Sequence, residues 1–182
     1  MNGHTQDAST NTSFKPFLLS GEVVHGHGRG GTKLGFPTAN LRLNDNVIQQ
    51  LQAYKNLVLY GWGSVVAVPG KEAGGEGPYP FAMSIGYNPH FKDVNLSAEV
   101  YFMHEFAEDF YGAVVKIVVL GVIREMGAFV SLEALVDAIK NDIIFTRGVL
   151  QKPGLAQLKQ HPFLSLSLSP TEALPHFETI VV

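Results

Sequence analysis

Leu57-Val58-Leu59-Tyr60-Gly61-Trp62-Gly63-Ser64-Val65-Val66-Ala67-Val68 is an uncharged run of aliphatic, aromatic and small residues. β-Branched and aromatic side chains suit a pleated, half-buried surface, so the run reads as a strand. Gly61 and Gly63 inside it fit a sharp barrel corner or a close backbone approach. Working outward, Phe17–Val24, Phe81–Ile85, Ala98–His104 and Val114–Ile123 have the same character. Gly74-Gly75-Glu76-Gly77-Pro78 reads as a loop and Tyr87-Asn88-Pro89 as a turn. Strands of this length, with no helix between them, argue antiparallel pairing in a barrel or sandwich.

The period changes at Ser131–Phe145. Leu132, Leu135, Val136, Ile139 and Ile143 recur at helical spacing. Ser131 is the expected N-cap and Gly148 the expected stop, which gives a helix packed on the barrel. After Pro153 the pattern is weak.

With 182 residues, one domain is expected. Residues 1–15 read as a disordered extension, 16–165 as the barrel with its helix, and 166–182 as a tail of unassigned order. A hydrophobic content of 46% and a charged content of 16% are those of a globular chain. A net charge of −3 gives no electrostatic footprint for nucleic acid. No apolar stretch approaches the length that spans a bilayer, and the polar start Met1–Thr10 is unlike a secretory signal. The absence of cysteine removes disulfides, thiolate nucleophiles and Cys-based zinc sites. A cytoplasmic monomer acting on small molecules, without nucleic-acid or membrane partners, is the expectation.

Gly26-His27-Gly28-Arg29-Gly30-Gly31 formally matches G-x-G-x-x-G, but a dinucleotide site needs a helix directly afterwards. Thr32-Lys33-Leu34-Gly35-Phe36-Pro37 follows instead. A Walker A lysine is missing from the required offset, and the companion motifs of a protein kinase do not occur. Glycines still let backbone N–H groups approach phosphate oxygens. On the glycines alone, phosphate binding and a simple hairpin loop both remain open. His25 and His27 could be a metal pair, but no further ligand lies nearby in sequence.

Leu34-Gly35-Phe36-Pro37-Thr38-Ala39-Asn40 resembles the signature of the riboflavin kinase family. The pattern extends back through Gly21-x-Val23-Val24-x-Gly26-x-Gly28-Arg29-Gly30. It continues through Ser84-Ile85-Gly86-Tyr87-Asn88-Pro89, Glu99 and His104-x-Phe106-x-Glu108-Asp109-Phe110-Tyr111-Gly112, all in family order. Together the motifs cover roughly residues 17–150. The resemblance implies a six-stranded antiparallel Greek-key barrel with a C-terminal α-helix, binding ATP, riboflavin and Mg²⁺, with Zn²⁺ or Mn²⁺ as alternatives, and releasing FMN and ADP. It implies that Thr38 and Asn40 hold the cation and the phosphates. Gly26, Gly28 and Gly30 form the flap over ATP, and Glu99 is the general base. Phe102, His104, Tyr111 and Arg124 are the expected flavin contacts. Glu125-Met126-Gly127 departs from the family sequence after Arg124, and Lys33 is assigned no fixed contact.

These residue types suit phosphoryl transfer, in which positioning and charge neutralisation do most of the work. A hard cation bridging phosphates takes oxygen ligands and keeps several waters. Thr38 offers a hydroxyl and Asn40 an amide oxygen, two residues apart and so on one face of an extended segment. Strand alternation groups Glu99 with Tyr101 and Met103, opposite Val100 and Phe102. An alcohol is far too weak an acid for early deprotonation by a carboxylate, so Glu99 is expected to orient the hydroxyl and take its proton late. Glu105 and Glu108 read as a solvated turn, Asp109, within the family pattern, as a ligand contact or as support for the site, and Trp62 as packing. A passive flavin-binding barrel would need no base. The length leaves no room for a second nucleotidyltransferase domain, so FAD formation is not expected.

Overall fold

The computed structural model describes residues 14–26, 34–68, 70, 74–87 and 96–182. Its strands are β1 (Phe17–Val24), β2 (Ala39–Leu41), β3 (Leu57–Val66), β4 (Glu76–Tyr87), β5 (Leu96–Phe102), β6 (Val114–Glu125) and β7 (His176–Thr179). The helices are α1 (Asp45–Leu51), α2 (Leu132–Val149) and the short α3 (Pro153–Ala156). All strand pairs are antiparallel, and β1 to β6 close in the order β1-β2-β5-β4-β3-β6. The expected six-stranded antiparallel barrel with a C-terminal helix is therefore present. β4 begins earlier than expected, absorbing Glu76, Gly77 and Pro78 from the predicted loop. The Asn88-Pro89 turn lies outside the described residues.

Closure depends on the shortest strand. β2 pairs with β1 only at Val23 and Val24, and with β5 at Val100 and Glu99. Beside the first half of β1, the seam is filled by β7, which pairs Phe17–Ser20 with His176–Thr179. The tail that carried no sequence assignment thus completes the sheet. Gly61 marks a close approach, since a Cβ there would run into the Val118 carbonyl on β6.

The apolar runs are unbroken because both barrel faces are covered. Along β6, Val115, Ile117 and Val119 enter the interior with Phe17, Phe81 and Met83. Val118 and Leu120 point outward, where Leu18, Tyr60, Leu150 and Leu164 cover them. Trp62 belongs to this outer layer, and its Nε1 donates to the Leu155 carbonyl at 2.9 Å. Phe14 and Lys15, expected in the extension, join the fold: Phe14 packs edge-on to Tyr54, whose hydroxyl donates to the Lys15 carbonyl.

Ser131 caps α2 as expected, its Oγ accepting from Ala134 N at 3.1 Å. Two helix expectations are corrected. The helix runs through Gly148 to Val149, and its buried residues are Asp142 and Thr146 rather than the apolar stripe. Leu132 is 61% exposed. Leu135, Val136, Ile139 and Ile143 of the stripe are half-buried, and Phe145 packs edge-on to Tyr60.

Candidate functional site

The site starts at Gly35, whose φ of +81° lies in the left-handed region that favours glycine. The turn delivers Phe36-Pro37-Thr38 to the start of β2. Phe36 meets Tyr101 edge-on at 5.7 Å, which fixes this segment against β5. In β2, Asn40 pairs with Val24 on one side and Glu99 on the other. Thr38 Oγ1 donates to Glu99 Oε2 at 3.1 Å. Thr38, Asn40 and Glu99, separated by up to 61 residues in sequence, are thus gathered where the barrel closes. Gly26, just beyond β1, lies against the Asn40 amide, and a Cβ there would collide with it.

The pairing continues sideways from Glu99. Glu99 pairs with Ser84, Ser84 with Val58, and Val58 with Arg124. Cross-strand partners point to the same face. These residues therefore form a row across the outer sheet, in which Glu99 and Arg124 are three strand spacings apart, roughly 14 Å. Arg124 is held by a two-point pair with Asp142 of α2: Nε to Oδ1 is 2.9 Å and Nη2 to Oδ2 is 2.8 Å. Its guanidinium lies 5.5 Å from the centre of the Phe129 ring. Met126 and Phe129 remain about two-fifths exposed beside it.

On the other side of Thr38 opens a cleft of about 930 Å³. Thr38, Gly35, Tyr101, His104, Tyr111 and Arg147 are among its lining residues, with Glu105, Glu108 and Asp109 on the same wall. His104 stacks on Tyr79 at 3.8 Å, and its Nε2 lies 3.2 Å from Glu76 Oε2. Tyr111 stacks on His25 at 3.7 Å. Gly112 turns the chain there with φ +78°. Burial pushes the Tyr101 phenol above its ordinary pKa, and the charge of Arg147 pulls in the opposite direction.

The structure groups the expected flavin contacts differently from the sequence reading. Phe102, His104 and Tyr111 line the cleft, and Arg124 is not brought to it. The Phe102 side chain is 3% exposed and belongs to the core, packed on Phe81 and Phe106, so it forms a wall rather than a free platform. Met103 does not share the half-exposed face of Glu99 and Tyr101: β5 ends at Phe102, and Met103 is buried in the cleft wall. Gly28, Gly30 and His27 lie outside the described residues. Among the described residues no cluster of three His, Asp or Glu side chains converges as a metal site, and no helix is long and apolar enough to cross a membrane.

Residues 13–150 match the sequence model of the Flavokinase (riboflavin kinase) family. The chain belongs to the riboflavin kinase family. It is 37% identical to the riboflavin kinase of Mus musculus over 153 residues, covering 84% of this chain and 92% of that one. Identity to the Homo sapiens riboflavin kinase is 36% over 155 residues, covering 85% and 94%. The crystal structure of riboflavin kinase from Trypanosoma brucei superposes with a TM-score of 0.79 at 54% identity, covering 93% of this chain and 99% of that one. Two residues of this riboflavin kinase family member had no place in the sequence reading. Asp142 is one helical residue off the apolar stripe among several, and Arg147, the residue before the expected stop at Gly148, carries no assigned role. Arg147 is visible as a cleft residue only once the last turn of α2 is seen to reach the cleft.

Proposed function

We propose that this chain transfers the γ-phosphate of ATP to the ribityl 5′-hydroxyl of riboflavin, giving FMN and ADP. The observation that carries the reading is the convergence of Thr38, Asn40 and Glu99 at the β1–β2–β5 seam, between a cleft on one side and the row ending at Arg124 on the other. The cleft takes the nucleotide, with Gly26 and the glycines Gly28 and Gly30 in the flap over its phosphates. The row takes the flavin. Its length from Glu99 to Arg124 suits a tricyclic ring carrying a five-carbon side chain, and Met126, Phe129 and α2 offer apolar cover for the ring. Under this reading His104 and Tyr111 face the nucleotide side, and Arg124 is the flavin contact of the original set.

The donors fit a hard divalent cation. Thr38 supplies a hydroxyl and Asn40 an amide oxygen, both neutral, and a cation shared with phosphates needs few protein ligands. Mg²⁺ is the first choice, and when bound it neutralises and aligns the phosphate oxygens. Glu99 Oε2 is engaged by Thr38, which leaves Oε1 for the primary alcohol. As the alcohol oxygen bonds to the γ-phosphorus and the bond to the β-bridging oxygen breaks, the alcohol proton passes to Glu99. The same reading makes the protein a cytoplasmic monomer whose partners are small molecules, not nucleic acid or membrane.

The test is the appearance of FMN from riboflavin and ATP, with Mg²⁺, Mn²⁺ and Zn²⁺ compared. Flavin binding without ATP consumption would leave a passive binding barrel instead.

A further inference from the structure

Arg147 stands in the last turn of α2, the end of the helix that reaches the nucleotide cleft. It is exposed, and among the described residues it forms no ion pair. The bland explanation is that a cation at a helix C-terminus complements the helix dipole. Three features of its surroundings ask more of it.

The cleft is lined by the carboxylates of Glu105, Glu108 and Asp109, and among its described lining residues Arg147 is the sole arginine or lysine. A nucleoside triphosphate brings several further negative charges to that wall, and one divalent cation does not cancel them all. Position is the second feature. Arg147 lies close enough to Tyr101 for its charge to act on the phenol, and Tyr101 follows Glu99 by two residues on the same face of β5. Two residues along a strand are about 7 Å, within the reach of a long flexible side chain. The third is α2 itself. Asp142 clamps Arg124 at the far end of the row, and Arg147 comes five residues later, about 7.5 Å along the helix. One rigid element therefore carries both the clamp at the flavin side and the free guanidinium at the cleft.

We propose that Arg147 binds the phosphate oxygens of the nucleotide at the junction of cleft and row, stabilising the charge on the transferred phosphoryl group from the side opposite Thr38 and Asn40. A guanidinium offers paired donors in a fixed plane, which suits phosphate oxygens better than a point charge does. The proposal rests on the kinase reading above.

The experiment compares the wild-type chain with R147Q and R147K. FMN formation is measured at varied MgATP, riboflavin binding by quenching of flavin fluorescence without ATP, and stability by thermal melting. R147Q is expected to lose kcat/KM for ATP on the order of 10²-fold. Its riboflavin affinity and melting temperature should match the wild type, and R147K should recover part of the loss. An R147Q with unchanged kcat/KM for ATP overturns the proposal. So does a lowered melting temperature with equal losses for ATP and riboflavin, the signature of a purely structural helix end. A wild-type chain that forms no FMN would instead remove the kinase reading itself, and the proposal with it.

Discussion

The hydroxyl of Thr38 donates to Oε2 of Glu99 at 3.1 Å, joining the segment that leads into β2 to the middle of β5. One bond orients the carboxylate and leaves its second oxygen open. Glu99→Gln keeps the acceptor for Thr38 but cannot take a proton at neutral pH. Turnover of riboflavin should fall by roughly 10²–10⁴-fold, with KM values for both substrates nearly unchanged. Steady-state kinetics decide this, and near-wild-type turnover would remove Glu99 from the proton-transfer role.

The long strands were legible because their composition does not depend on partners: Phe17–Val24 was delimited to the residue, and Val114–Ile123 fell short by two. β2 was hidden because three residues carry no periodicity, and only its position between β1 and β5 makes it a strand. The tail was hidden for a related reason. Its order comes from pairing with β1 and from contacts such as Lys116 with Glu172, not from a local pattern. The Thr38, Asn40 and Glu99 set was readable as family motifs, while the row from Glu99 to Arg124 exists only through strand register. Asp142 was unreadable because a buried acid on a helix looks like any other helical acid until its arginine is known.

Gly26 separates activity from stability. A methyl group at this position collides with the amide of Asn40, a short side chain that can rotate away, rather than with backbone. Gly26→Ala should therefore shift the melting temperature little while displacing one of the two proposed oxygen ligands. The expected result is a rise of about tenfold in KM for MgATP, equivalent to about 1.4 kcal/mol, with riboflavin binding unchanged. Titration with Mg²⁺ at fixed ATP would show the same loss as a higher metal requirement.

Asp142→Asn gives the complementary signature. The carboxylate accepts two bonds from Arg124, and an asparagine retains one acceptor while turning an N–H group toward the guanidinium. Arg124 then loses its fixed orientation beside Phe129. Riboflavin affinity should fall by about tenfold, again about 1.4 kcal/mol, while KM for ATP stays near wild type. Flavin fluorescence quenching measures the first and initial rates the second. Equal losses for both substrates would mean that the pair only holds α2 in place.

Lys116 tests the fold away from the chemistry. Its ammonium, on the outer face of β6, donates to Glu172 Oε2 at 2.9 Å and to the Ser167 carbonyl at 3.0 Å. The side chains are 4% and 19% exposed, so both charges have left most of their water. These bonds fasten the segment that leads into β7, the strand that fills the seam beside β1. Lys116→Met replaces the cation with an apolar chain of similar length and leaves the Glu172 carboxylate without its partner. Breaking one side of a buried pair costs about 3 kcal/mol. For a chain of this size that corresponds to a melting temperature lower by about 10 °C. Adding Glu172→Gln removes the stranded charge and should restore more than half of the loss, because the desolvation penalty disappears along with the attraction. Turnover at a temperature where the variants stay folded should be unchanged, since neither residue lines the cleft or the row. An unshifted melting temperature in Lys116→Met would show that β7 is held by its pairing with β1 alone.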